Sequence, residues 1–209
     1  QWYGECLATI TSFDRAVAEL KLAQDLDPLS LIINSVLGGV FCFARQYEQA
    51  IAQCRSTLEI DRNYWLALFF LGLSHEARGE SAPALAALQH ALSATGKNPM
   101  VMAALGHAYA SAGKTREAEE LLQELKILSE TGYTSSVNLA LIALGVGDHD
   151  LAFAQLERAL AARSGWLVFL RVDPRFDSLR SDSRFEYLLQ SVFVNSGNYG
   201  SEFGAIPAS

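Results

Sequence analysis

The chain of 209 residues has no apolar run approaching the roughly 18 residues that a membrane-spanning helix requires. Its densest stretch, Trp65 to Leu73, is half that length and reads as a buried helix. Positive charge is also scarce. Lys and Arg number 16 against 23 Asp and Glu, a net charge of −7, and they are scattered singly. Such a surface cannot neutralise a phosphate backbone, which excludes direct nucleic-acid binding by this segment. The three cysteines, Cys6, Cys42 and Cys54, are odd in number and match no zinc or redox spacing. They sit among apolar residues and read as structural thiols of a reducing compartment, so a cytoplasmic location is expected, with extracytoplasmic placement in a membrane-anchored parent as the alternative. No basic leader, cleavage site or initiator Met opens the chain, which begins inside a periodic pattern. The expectation is a segment of a longer protein.

Chemistry is equally thin. The four histidines, His75, His90, His107 and His149, include no two at metal-ligand spacing on one helix. No serine sits in a nucleophile elbow, and no glycine-rich loop follows a strand. Glu119-Glu120 and the Asp148/Asp150 pair fall on an exposed helix face and a turn. There, solvation and N-capping account for them better than acid–base catalysis. No catalytic residue, metal site or cofactor is expected.

What the sequence does contain is a period of 34. Ala16, Ala50, Ala84, Ala118 and Ala152 recur at that interval, preceded in register by Gly4, Gly38, Gly72, Gly106 and Ala140. Before these stand Tyr3, Leu37, Leu71, Leu105 and Leu139; after each alanine come Leu20, Cys54, Leu88, Leu122 and Leu156. A further column holds Ala23, Thr57, Ala91, Leu125 and Ala159. Leu37, Gly38 and Phe41 lie on one helical stripe, and Tyr47, Ala50, Ile51 and Cys54 on a second. Gly79, Gly113 and Gly147 mark the turns between such pairs. Each unit is therefore a helical hairpin whose small residues allow close approach. Stacked hairpins bury what one cannot, giving a solenoid. His75 falls in an aromatic core column beside Phe41 and Tyr109 and is expected to be a satisfied, buried histidine.

The units Leu105-Gly-His-Ala-Tyr109…Gly113…Ala118 and Leu71-Gly72…Gly79…Ala84 resemble the tetratricopeptide repeat family, and Asp27-Pro28 fits the proline that ends its unit. Arg62, Gly96, Glu130 and Ser164 depart from it there. The resemblance implies an all-α, right-handed superhelical solenoid of about five hairpins plus a C-terminal capping helix. Units are expected to end near residues 30, 64, 98, 132 and 165, the first truncated, with a cap over 166–195 and a flexible tail over 196–209.

In that family the first helix of each hairpin lines a concave groove for a peptide or partner helix. Carried over, the groove positions are Ser35, Gly39 and Phe43, then Phe69, Leu73 and Glu76, then Met100, Ala103, His107 and Ser111, then Val137 and Leu141. Ile32, Cys42, Leu66, Ala77, Ala110, Thr134 and Leu144 extend the set. The family's basic, asparagine-rich carboxylate clamp is absent, since Ser35, Gly39, Phe69 and Leu73 hold its places. The implied ligand is an apolar or amphipathic segment. Packing or self-association is the competing use of the same residues.

The repeat columns stop at Asp173-Pro174. Trp166 to Leu170 is an apolar segment able to cover the last hairpin, and Phe176, Leu179, Phe185, Leu188, Leu189 and Val192 supply a second apolar set. Asp182 or Ser183 can cap the final helix, with Glu186 completing a capping box. The block GWLVFLRVDPRFDSLRSDSRF is similar to the close of tetratricopeptide regions in bacterial multidomain signalling proteins, where an effector such as a winged-helix regulator, serine/threonine kinase or nucleotide cyclase accompanies the repeats. The function implied is a protein- or peptide-binding regulatory module in signal transduction or transcription control. A homodimerising scaffold is the alternative, and an enzyme using the charged C-terminal block is a third.

Overall fold

The computed structural model describes residues 12–130 and 134–193. Tyr3, Gly4, Cys6 and the expected tail at 196–209 lie outside the described residues. Among the described residues ten α-helices and two 3-10 turns follow one another without a strand. The helices are α1 (Phe13–Leu26), α2 (Leu31–Phe43), α3 (Tyr47–Ile60), α4 (Trp65–Ala77) and α5 (Ser81–Thr95). They continue with α6 (Pro99–Ser111), α7 (Thr115–Glu130), α8 (Ser136–Gly145) and α9 (His149–Ala161). The two 3-10 turns, Gly165–Phe169 and Pro174–Leu179, lead into α10 (Ser183–Phe193).

Helices pair as α2 with α3, α4 with α5, α6 with α7 and α8 with α9. Each first helix also packs on the first helix of the next pair, so α2, α4, α6 and α8 form an inner layer. The second helices form the outer layer. The result is a right-handed superhelical solenoid of the tetratricopeptide type, closed by a C-terminal capping helix.

The 34-residue columns sit at the helix crossings. The five alanines, Ala16 to Ala152, are at most 1% exposed. A Cβ added to Gly38 would lie 2.6 Å from Cys54 Sγ, and one on Gly72 would lie 2.5 Å from Leu88 Cγ. Glycine is required there because the inner helix rides directly on the outer one. Gly79, Gly113 and Gly147 turn each hairpin at φ 74°, 74° and 80°. The second unit has no glycine at that place, and Arg45 takes up the same left-handed conformation at φ 61°.

Local chemistry sets several helix starts. Asn98 Oδ1 accepts from the backbone N–H of Met100 at 3.0 Å and of Val101 at 3.4 Å, with Pro99 opening α6. Asp148 accepts from Leu151 N–H at 2.9 Å, so this aspartate of the Asp148/Asp150 pair is an N-cap. At α10 the capping side chain is Asp182, which accepts from Arg184 N–H at 2.9 Å. Glu186 accepts from Gln190, one turn on, rather than reaching back in a capping box.

The two layers differ in character. Outer α7 buries Ala118, Leu122 and Leu125 and presents its other side to water. Inner α8 buries Val137 and every residue from Leu139 to Leu144. Inner α2 buries every residue from Asn34 to Cys42. A helix apolar around its circumference must be covered on both sides. The outer helices cover one side; α1 and α4 also cover α2, while α6 and the segment Pro174–Leu179 also cover α8.

Candidate functional site

The chain's own C-terminal arm, residues 165–180, lies across the inner layer of helices. Leu167, Leu170, Phe176 and Leu179, each at most 3% exposed, join one apolar cluster with Ala103, Val137, Leu141, Phe153 and Leu156. Leu167 and Leu170 thereby cover the last hairpin as the sequence suggests. Trp166 instead stays 49% exposed, and Phe169 turns away toward the second unit.

From there the arm reaches across the groove to α2 and α4. Phe169 stacks on Phe43 with ring centroids 5.5 Å apart, and Phe43 in turn meets Phe70 edge-on at 6.0 Å. Gly39 makes room for Phe70, since a Cβ there would fall 2.5 Å from the ring. Arg45 grips Asp177 with both terminal nitrogens, at 2.7 and 2.8 Å, across 132 residues of sequence. Arg175 lies over the Phe69 ring, 5.9 Å from its centroid.

Arg175 and Asp173 form a buried pair with side chains 9% and 4% exposed, joined at 2.6 Å. Burial opposes the charge on Arg175, but Asp173 beside it and Glu76 further off hold the guanidinium above its ordinary pKa. Glu76 Oε1 lies 2.6 Å from His107 Nδ1 and accepts a longer hydrogen bond from Ser111 Oγ. The second oxygen of Glu76 and Nη1 of Arg175, both buried, find no partner in the protein. Cys42 lies beside Ser74 in the same region, and burial pushes its thiol up to about 12.

The groove positions named from the sequence fall into two groups. Ser35, Gly39, Phe69, Leu73, Ala103, Val137 and Leu141 are buried. Phe43, Glu76, Met100 and His107 are partly buried, and Ser111 is exposed. The structure sets Phe43 and Phe69 against the arm and joins His107 and Ser111 to Glu76. The Glu76–His107 pair was not foreseen, although both residues stand on the groove list from adjacent units. The arm's role was missed too, because its contacts ignore the 34-residue register.

Elsewhere, His75 is 6% exposed and its Nδ1 lies 2.5 Å from Glu80 Oε2, a satisfied core histidine as expected. The charges of the C-terminal block are engaged with one another and with the repeats. Arg180 pairs with Asp177 at 2.7 Å. Arg184 pairs with Asp182 and Asp150, both at 2.8 Å, while its guanidinium covers the Phe153 ring at 4.0 Å. No described helix is long and apolar enough to cross a membrane. Among the described residues no group of three or more His, Cys, Asp or Glu is placed to hold a metal ion.

No family model and no curated protein matches the sequence. Two solved structures of MamA, a tetratricopeptide-like helical repeat protein, are similar in fold. One is 24% identical with a TM-score of 0.52, over 77% of this chain and 94% of that one. The other is 23% identical with a TM-score of 0.51, over 78% of this chain and 91% of that one.

Proposed function

We propose that this chain is a protein-interaction module that holds peptide segments on its concave face. The observation that carries this reading is the seating of residues 165–180 there. Aromatic stacking on Phe43, a guanidinium over Phe69 and the bidentate Arg45–Asp177 pair are the chemistry of peptide recognition, supplied here in cis. The tetratricopeptide-like fold supports the same reading. The segment itself does no chemistry in this account. Any catalysis belongs to a separate effector domain.

The finer proposal is that the module is the regulatory segment of a larger bacterial signalling or transcription-control protein. It rests on the similarity of the closing block to those that end such repeat regions, and on the charge of −7, which leaves nucleic-acid contact to another domain. A self-association scaffold is the competing use of the same fold.

Photo-crosslinking separates these readings. A photoreactive amino acid at Ser111, the exposed rim position, is introduced into the full-length parent protein, and the crosslinked peptides are identified by mass spectrometry. Crosslinks to a different polypeptide, or to an effector domain of the parent, are expected. Crosslinks only between copies of the repeat region would replace the proposal with the scaffold.

A further inference from the structure

A solenoid of stacked hairpins needs contacts only between neighbours. The arm breaks that pattern by joining the last unit to the second. Its two faces are unequal. One face, Leu167, Leu170, Phe176 and Leu179, is fully buried against the fifth hairpin and the capping helix. The other crosses the groove with one ring pair, one exposed ion pair and the buried Asp173–Arg175 pair, whose guanidinium lies over Phe69. The ion-pair partners Arg45 and Asp177 remain 43% and 42% exposed, so water and salt screen them. A modest loosening of superhelical curvature would separate Phe169 and Asp177 from α2 while Leu167, Leu170, Phe176 and Leu179 stayed on their own hairpin.

Closure also leaves polar groups unanswered. The second carboxylate oxygen of Glu76 and Nη1 of Arg175 are buried without partners, on side chains only 10% and 9% exposed. Unsatisfied buried polar atoms disfavour the closed state relative to one in which a hydrogen-bonding ligand meets them.

We propose that the arm is a pseudoligand that keeps the concave face shut. The partner that opens it is a peptide segment carrying an aromatic side chain and a carboxylate, which replace Phe169 on Phe43 and Asp177 on Arg45. The charge logic favours this class. Opening frees Arg45, and Arg171 stands exposed on the facing arm, while Arg180 keeps its pair with Asp177. An acidic aromatic segment pairs with Arg45, whereas a basic one is repelled. The proposal rests on the reading that the concave face binds peptides.

The test uses the full chain and a fluorescent synthetic peptide with the sequence of residues 165–180. The double variant F169A/D177A loosens the arm and leaves every groove residue on α2, α4 and α6 intact. It is expected to bind the peptide at least tenfold more tightly than the wild type. Adding Arg45→Ala should abolish the gain, as should a peptide lacking its counterparts of Phe169 and Asp177. Equal affinity of wild type and double variant overturns the pseudoligand, and so does a gain that survives Arg45→Ala.

Small-angle scattering on the same samples separates the two levels. A variant that expands yet ignores the peptide sinks the peptide-binding reading itself. One that neither expands nor binds sinks only the gate. Concentration-dependent dimers of the variant would mean that a second copy's arm is the occupant, which also overturns the proposal. D177N alone, a milder change, serves if the double variant shows a loss of helical signal.

Discussion

The crossing of α4 and α5 gives a sharp test because two effects there have opposite signs. Gly72 lies inside α4, where replacement by alanine would favour the helix by about 1 kcal/mol on propensity alone. The crossing forbids it. The new Cβ would sit 2.5 Å from Leu88 Cγ, 2.9 Å from its Cδ2 and 3.3 Å from the carbonyl oxygen of Ala84. Carbon–carbon contacts are comfortable near 3.5–4.0 Å, so the overlap with Leu88 is about 1 Å. Leu88 is 0% exposed, and the Ala84 carbonyl belongs to the backbone of α5, which cannot move aside like a side chain. Overpacking of this kind costs about 1–3 kcal/mol, and the overlap places it toward the upper end. After subtracting the propensity gain, Gly72→Ala should destabilise by about 1–2 kcal/mol. For a chain of this size that lowers the melting midpoint by roughly 2–8 °C, read by far-ultraviolet circular dichroism. An unchanged or raised midpoint would refute the reasoning, because it would mean that the glycine column does not mark a close helix crossing.

Other expectations follow from the arm and the core. Arg175→Ala should lower stability in urea by about 3–5 kcal/mol, since it leaves the Asp173 carboxylate, 4% exposed, without its partner. At Asp177 burial opposes the charge, but hydrogen bonds from Arg45 and Arg180 outweigh it and hold the carboxyl below the ordinary aspartate range. A depressed folded-state pKa stabilises above the unfolded value, near 3.9, and that contribution is lost as pH falls through the folded value. The wild type should therefore exceed Asp177→Asn by no more than about 1 kcal/mol at neutral pH, given solvent screening, with the gap closing in acid. A gap that widens below pH ~4 would contradict the pairing. Burial pushes the thiols of Cys42, to about 12, and of Cys54 well above the ordinary range. Neither should be alkylated by iodoacetamide in the native chain at neutral pH, as peptide mapping by mass spectrometry would show.

The repeat was legible in the sequence because each hairpin solves the same packing problem at the same positions. Ala84 had to be small for the reason Ala50 and Ala118 did, and all three are buried at helix crossings. Arg45 hid a turn, since its left-handed conformation carries no glycine to announce it. The concave site was legible only as a surface. Phe43, Phe69, Glu76 and His107 could be placed on it by register, but register says nothing about a partner from outside the repeats. Phe169 on Phe43 and Asp177 on Arg45 are such contacts. The signal that could have found such a partner lies in α8, whose apolar residues run around the whole helix and part of whose cover is the segment Pro174–Leu179. One-sided packing in an open groove does not need that.

The central claim is that the arm occupies the concave face, and a double-mutant cycle between Phe43→Ala and Phe169→Ala tests it most directly. Direct ring contact at 5.5 Å predicts a coupling of about 0.5–1.5 kcal/mol in urea unfolding, despite the distance in sequence. Strict additivity, within about 0.3 kcal/mol, would mean that the two rings do not meet and that the groove stands open.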